Sequence, residues 1–163
     1  MDDSYQLVVF LLDDRQYALQ HLASVEKIVR AVQVTPLPKA PTIVIGAINL
    51  QGQIIPVVNI RQRFRLTERE VNLNDRFIIA RTPKRTLAFV ADAVTGVLEL
   101  PHDALIAKER VIPGLEYISG VAKLEDGMIL INDLDSFLSL EEETKLETAL
   151  KNTAGTNDAQ HFG

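Results

Sequence analysis

The side chains of this chain that could do chemistry are spaced so that few of them can act together. His21, His102 and His161 lie in unrelated segments, and no pair has the spacing of metal ligands. Ser24, Ser119 and Ser136 lack the strand-to-helix elbow that exposes a serine nucleophile, and no glycine-rich phosphate loop follows a strand. No cysteine is present, which removes disulfides, thiolate metal sites and thiol catalysis together. The carboxylates fall where turns and helices want them: Asp13 and Asp14, Glu125 and Asp126, and Glu141 to Glu143. Asp92, beside an apolar stretch, is the one candidate for a perturbed acid, and a hydrolase built on Asp92 or Asp133 is the enzyme reading that remains. The pattern favours no catalytic set, no metal and no cofactor.

Backbone turns and apolar patches are left as the functional material, so the elements that carry them matter. The chain has 163 residues, 47% hydrophobic and 24% charged, the balance of one globular domain or of two small ones fused. Its net charge of -5 and pI near 5.2 oppose a general attraction to nucleic acid or anionic lipid. Arg61, Arg63 and Arg65 form a local basic run, read as a solvated face at a strand end rather than a phosphate contact. No apolar run reaches the ~18 residues of a membrane span, and the start has no secretory leader, so a cytoplasmic protein without membrane insertion is expected.

The chain reads as two copies of one plan. YQLVVFLL, a polar turn and QYALQ form a hairpin, and DRFIIAR, the turn Thr82 to Arg85 and TLAFVAD form another. Val9 and Ile79, Tyr17 and Leu87, and Ala18 and Ala88 stand 70 positions apart. A second pair of hairpins, GAINLQGQIIPVVNI and GVAKLEDGMILINDL, matches without a gap at a shift of 74. Asn59 answers Asp133. Short strands throughout predict an all-β fold of two intertwined five-stranded barrels sharing a core, over roughly 5–66 and 75–138, with the first strand pairing in its own barrel or crossing to the other.

Between hairpins, LASVEKIV puts Leu22, Val25, Ile28 and Val29 on one side of a short helix or on an irregular strand. TPLPKAP is a stiff linker carrying Pro36, Pro38 and Pro41. Ser139 and Glu142 make a capping box for a helix over 139–151, whose Leu146 and Leu150 share a docking face. Disorder is expected over 152–163.

TPLPKAPTIVIGAINLQGQIIPVVNI resembles the signature of the CheW family of bacterial chemotaxis adaptors: a proline-bearing segment, then G-x-x-N-L-R-G and P-V-x-D-L. VVFLLDDRQYALQHLASVEKIV, LAFVADAVTGVLELP and GVAKLEDGMILINDLDSFL resemble the family's opening, middle and end, so the likeness covers residues 5 to about 140, the CheW-like domain of 1–140. The resemblance implies two SH3-like barrels and a noncatalytic scaffold. Its partners would be the cytoplasmic tip of a chemoreceptor, a helical hairpin lying in an apolar groove between the barrels, and the regulatory domain of a CheA-type histidine kinase. Partner contacts are expected from Val25, Lys27 and Ile28, from Pro36 and Pro38, from Asn49, Gln51, Gly52 and Pro56, and from Val94, Gly96 and Leu98.

Three positions depart from the family pattern. Gln51 replaces the arginine of N-L-R-G, Lys27 replaces an acid in V-x-E-I, and Asn59 replaces the aspartate of P-V-x-D-L. A divergent adaptor is implied, one that could serve surface motility, pili or second-messenger output instead of swimming. A small-barrel nucleic-acid binder is the alternative from another class, opposed by the acidic balance and only 6% aromatic residues.

Overall fold

Apolar β-branched and aromatic runs such as VVF, FII and AFV favour pleated, half-buried backbone, and they form the centres of strands. In a computed structural model, residues 4–20, 25–101, 103, 105–107, 118–124, 127–132 and 138–161 are described. Eleven strands follow in order: β1 Ser4–Leu12, β2 Arg15–Gln20, β3 Val25–Arg30, β4 Val44–Leu50, β5 Gln53–Val58, β6 Arg76–Arg81, β7 Thr86–Ala91, β8 Ala93–Pro101, β9 Leu105–Ala107, β10 Ile118–Leu124 and β11 Gly127–Asn132. A one-turn helix α1, Ile60–Arg63, follows β5, and a long helix α2, Leu140–His161, ends the chain. The fold is all-β apart from these helices, as the sequence predicts.

The strands make two sheets, ordered β8-β1-β2-β11-β10-β9 and β3-β6-β7-β5-β4, here called the first and second barrel. The barrels are not the sequential halves 5–66 and 75–138. The opening hairpin β1–β2 belongs with β8 to β11, while the second copy's hairpin β6–β7 belongs with β3 to β5. Each copy has lent its first hairpin to the other, and the short β9 gives the first barrel a sixth strand.

The exchange preserves the duplication down to single pairs. Ala18 faces Ile131 in a parallel ladder, and its counterpart Ala88 faces Val57, the counterpart of Ile131. Against β6, β3 skips Glu26 between Val25 and Lys27; against β1, β8 skips Thr95 between Val94 and Gly96. Both are β-bulges at the same place in the two copies.

Three apolar clusters follow from the pleat. Leu7, Val9, Ala18, Leu100, Ala122, Ile129 and Ile131 fill the first barrel; Phe77, Ile79, Ala88, Ala31, Ile48, Ile55 and Val57, their counterparts one for one, fill the second. The opposite faces meet in a larger shared core that includes Phe10, Leu12, Tyr17, Leu19, Ile78, Leu87 and Phe89. Phe10 and Phe89 have no exposed surface, and full burial of such a side chain stabilises by roughly 1.5–3 kcal/mol.

Helix α2 closes this shared core. The Ser139 N–H donates to Glu142 Oε1 at 2.8 Å and the Glu142 N–H to Ser139 Oγ at 3.1 Å, the reciprocal cap read from the sequence. Leu146 and Ala149 are fully buried against the barrels, and Leu150 packs beside them. The helix does not stop at Lys151 but continues to His161, so most of the segment expected to be disordered is helical. Once nucleated, a helix gains one hydrogen bond for each further residue fixed, which carries it through the weak helix formers of NTAGTND.

Candidate docking surfaces

The hairpin β4–β5 turns on two residues, Gln51 and Gly52, with φ of 53° and 86°. Both lie in the left-handed region that a tight two-residue hairpin needs, which glycine enters freely and glutamine at a cost. The Asn49 side chain accepts the Gly52 N–H at 2.9 Å and stitches the turn. Asn49, Gln51 and Gly52 are exposed at the tip. Pro56 is not: it is buried and pairs with Ala47, unlike the exposed contact the sequence suggests. β5 joins β7 only from Val57 onward, so the missing proline donor falls just outside that ladder.

The proline linker is held against the back of the same hairpin. Thr35 and Ala47 exchange two backbone hydrogen bonds of 2.9 and 2.8 Å. A Cβ on Gly46 would sit 2.2 Å from the Thr35 carbonyl oxygen, so only glycine lets the linker cross there. Leu37 is buried in the shared core, which leaves Pro36 and Pro38 exposed on either side of it.

β3 is a strand and not a helix, and its side chains alternate accordingly. Val29 packs toward the second barrel's interior, while Ile28 is 40% exposed, so the two do not share a face. Lys27 and Arg30 are exposed, and β3 is an outer strand of its sheet. Val25 and its counterpart Val94 are half-buried against the shared core, each beside its strand's bulge. Leu22, beside His21 and Ser24, lies outside the described residues.

Gly96 and Leu98 do come together. With Val9, Gln16, Thr95, Val97, Leu124 and Ile129 they line an open depression of about 450 Å³ on the first barrel, polar and apolar in nearly equal measure. The Thr95 hydroxyl donates to the Val9 carbonyl at 3.2 Å across the bulge, and Gly96 has φ of 141° with no atom within 4 Å of where a Cβ would stand.

A charged clasp, not legible in the sequence, holds the barrels together at one end. Arg61, 6% exposed, donates to Asp13 at 2.8 Å and to both oxygens of Asp92 at 2.9 and 2.8 Å. Arg69 reaches Asp75 at 2.7 Å and Asp92 at 2.5 Å, and the Asp13 N–H donates to Asp92 at 2.8 Å. Burial opposes the charge on Asp92, but the Asp13 N–H and the two guanidiniums outweigh it and hold its carboxyl below the usual range. The hydrogen bond to Asp75, against some burial, raises Arg69 above an ordinary arginine.

The clasp corrects the reading of the arginine run as a solvated face at Arg61 and Arg63. Arg61 is internal, and Arg63 is ion-paired to Glu142, while Arg85 bonds Glu143 at 2.9 Å. Arg63 and Arg85 staple α1 and the β6–β7 turn to helix α2, Arg61 joins the barrels, and Arg65 alone of the run is exposed. Asn59 has a local duty too: it caps α1, accepting the Arg61 N–H at 3.2 Å. Asp92 is engaged by cations rather than poised for proton transfer. Among the described residues no cluster of His, Asp or Glu could hold a metal ion, and no helix is long and apolar enough to cross a membrane. His102, Asp133, Ser136, Gly114, Glu125 and Asp126 lie outside the described residues.

The profile of the CheW-like domain family matches residues 6–142. The chemotaxis protein CheW of Treponema pallidum is 30% identical over 151 residues, covering 89% of this chain and 88% of that protein. Protein FrzA of Myxococcus xanthus is 27% identical over 113 residues, covering 69% of this chain and 71% of that protein. The crystal structure of the scaffolding protein TtCheW from Thermoanaerobacter tengcongensis superposes with a TM-score of 0.72 at 30% identity, covering 80% of this chain and 89% of that one.

Proposed function

The chain belongs to the CheW-like domain family, and from that premise we propose that it is a noncatalytic adaptor coupling chemoreceptors to a CheA-type histidine kinase. The observation that carries the reading is the family match across both barrels, joined to the fold of a protein described as a scaffold. The site chemistry agrees with it. Asp92, one of the two acids considered for catalysis, is engaged by two arginines.

In this reading the receptor tip, an apolar-faced helical hairpin, lies between the barrels against Val25, Ile28 and Val94, and the regulatory domain of the kinase meets the exposed edges and the hairpin tip. Lys27, Gln51, Gly52, Pro36, Pro38 and Asn49 form the polar rim that selects among partners, since rim charges set encounter rate and specificity. The protein works in the cytoplasm, recruited to membrane receptor arrays by those contacts and not by insertion.

A second reading keeps the fold and changes the system, placing the chain in an array for surface motility, pili or second-messenger output. The three departures at Lys27, Gln51 and Asn59 favour a divergent member, and the likeness to FrzA extends beyond proteins called CheW. Affinity capture from the native cell, scored for a histidine kinase and for methyl-accepting receptors, tests the adaptor role. Recovery of neither kind of partner sinks it, and genomic neighbours separate the two systems.

A further inference from the structure

The duplication makes the surroundings of the β1–β2 turn equivalent to those of the β6–β7 turn, yet the residues of the charged clasp are not repeated. Its acceptors Asp13 and Asp92 correspond to Pro83 and Ala23 in the other copy, and its donor Arg61 corresponds to Asp135. The plan of the fold therefore does not itself require those charges. At the β6–β7 turn, Arg85 bonds Glu143 of helix α2 instead.

The clasp holds the first residues of β8. The Asp92 N–H donates to the Leu11 carbonyl at 2.9 Å, and the Asp92 carboxylate accepts the Asp13 N–H at 2.8 Å, so Asp92 is tied to the end of β1 at two points. Beyond it, β8 pairs with β1 only at Ala93 with Leu11 and Val94 with Phe10 before the bulge interrupts the ladder. Two residues between a turn and a bulge have little pairing of their own to fix them. Arg61 supplies the rest: its guanidinium donates to both Asp92 oxygens, to Asp13 and, at 2.9 Å, to the Thr67 carbonyl. Arg61 sits on α1, directly after β5, so its fork carries the position of the second barrel to the start of a strand of the first. Buried from water, such charge-assisted bonds are short and directional. Val94, half-buried against the shared core, is the apolar side chain they place.

We propose that Arg61 is a positioning residue for receptor binding: through Asp92 it fixes Ala93 and Val94, so that one wall of the groove between the barrels is formed before the receptor's helical hairpin arrives. This rests on the adaptor reading above and adds to it a residue that touches neither partner. A ligand that needs a preformed groove binds with an affinity scaled by the fraction of molecules in which the groove is formed. The hairpin tip at Asn49 to Gly52 lies at the other end of the six-residue β5, about 20 Å from α1, and is outside the reach of the clasp.

Arg61→Lys keeps the charge and removes the fork, and Asp13→Asn removes one carboxylate at a half-exposed site, so circular dichroism should show both variants folded. The full chain and both variants are titrated with two probes from the same genome, the cytoplasmic tip fragment of a methyl-accepting receptor and the regulatory domain of a histidine kinase. Affinity for the receptor fragment should fall at least about fivefold in Arg61→Lys, as when the competent fraction drops to about one fifth, and by less in Asp13→Asn, while affinity for the kinase domain stays within about twofold. Amide hydrogen exchange, which needs no partner, should quicken about tenfold at the Asp92 N–H and stay unchanged at the Thr82 N–H, which is bonded in the β6–β7 turn. Unaltered receptor affinity in Arg61→Lys, equal losses for the two probes, or exchange that quickens equally at both turns overturns the proposal. A wild-type chain that binds neither probe sinks the adaptor reading instead, and the exchange measurement still decides whether Arg61 fixes the start of β8.

Discussion

Replacing Gly46 by alanine tests whether the proline linker is fixed by one close approach. The added Cβ would lie 2.2 Å from the Thr35 carbonyl oxygen and 2.8 Å from the Thr35 carbonyl carbon, both backbone atoms that no rotamer change can move aside. Relief requires the linker to lift from β4, which breaks the paired Thr35 and Ala47 hydrogen bonds of 2.9 and 2.8 Å. Two such bonds contribute about 0.5–1.5 kcal/mol each. Overpacking a filled site adds about 1–3 kcal/mol. The expected loss is thus roughly 2–6 kcal/mol, or a fall in Tm of about 4–24 °C at this chain length. Gly52→Ala is the control: no atom lies within 4 Å of its added Cβ, and only its φ of 86° is strained, costing about 1–2 kcal/mol. Urea and thermal unfolding of the two variants beside the wild type give the comparison. If Gly46→Ala is no worse than Gly52→Ala, the linker yields freely and its crossing does not position Pro36 and Pro38.

Further outcomes follow from the clasp, the helix and the rim. The folded Asp92 carboxyl titrates below its unfolded value of about 3.9, so its stabilising contribution is complete above that pH and lost as pH falls through the folded value. Urea midpoints measured from pH 5 down to pH 2 should fall, with Asp92→Asn less stable at pH 5 and less sensitive to acid over that interval; an unchanged slope refutes the assignment. Leu146→Ala, which empties a fully buried site under helix α2, should cost about 2–5 kcal/mol, read as a drop in urea midpoint, whereas Lys145→Ala on the exposed face should change it by less than about 0.5 kcal/mol. Lys27→Glu combined with Gln51→Arg should leave the unfolding midpoint nearly unchanged, because surface ion pairs contribute about 0–1 kcal/mol, while shifting binding away from native partners and toward those of typical family members. Unaltered binding to both sets would show that these positions do not choose partners.

Much of this fold was legible in residue spacing. The shifts of 70 and 74 positions give the repeat, and the one-for-one match of Val9 with Ile79 and Ile131 with Val57 in the barrel interiors gives it physical meaning. The exchange of hairpins was not legible, because YQLVVFLL presents the same alternation whichever copy supplies its neighbours. Only tertiary pairing decides between them. The clasp escaped for a related reason: Asp13, Arg61, Arg69 and Asp75 are spread along the chain and each alone has the look of a solvated turn or strand-end charge, while Asp92 stood out as a perturbed acid with nothing nearby in sequence to name its partners. The basic run just after a buried strand was the available clue, since an arginine so close to the core needs carboxylates around it. Of the expected contact residues, Asn49, Gln51 and Gly52 are exposed at the hairpin tip, and Gly96 and Leu98 line one depression. Sequence reasoning makes Pro56 a contact, although its burial depends on where β7 begins to pair, and it leaves β3 open between a short helix and an irregular strand because eight residues fit either period.

The swap of hairpins also constrains how the molecule is made. During synthesis the β1–β2 ribbon leaves the ribosome well before β8, β10 and β11 exist, so the face that fills the first barrel must wait for about seventy further residues before the first strand of that barrel arrives. Neither half of the polypeptide, cut between β5 and β6, contains a full barrel, yet the two pieces mixed together hold every strand needed for both, which makes fragment complementation a natural property of this architecture.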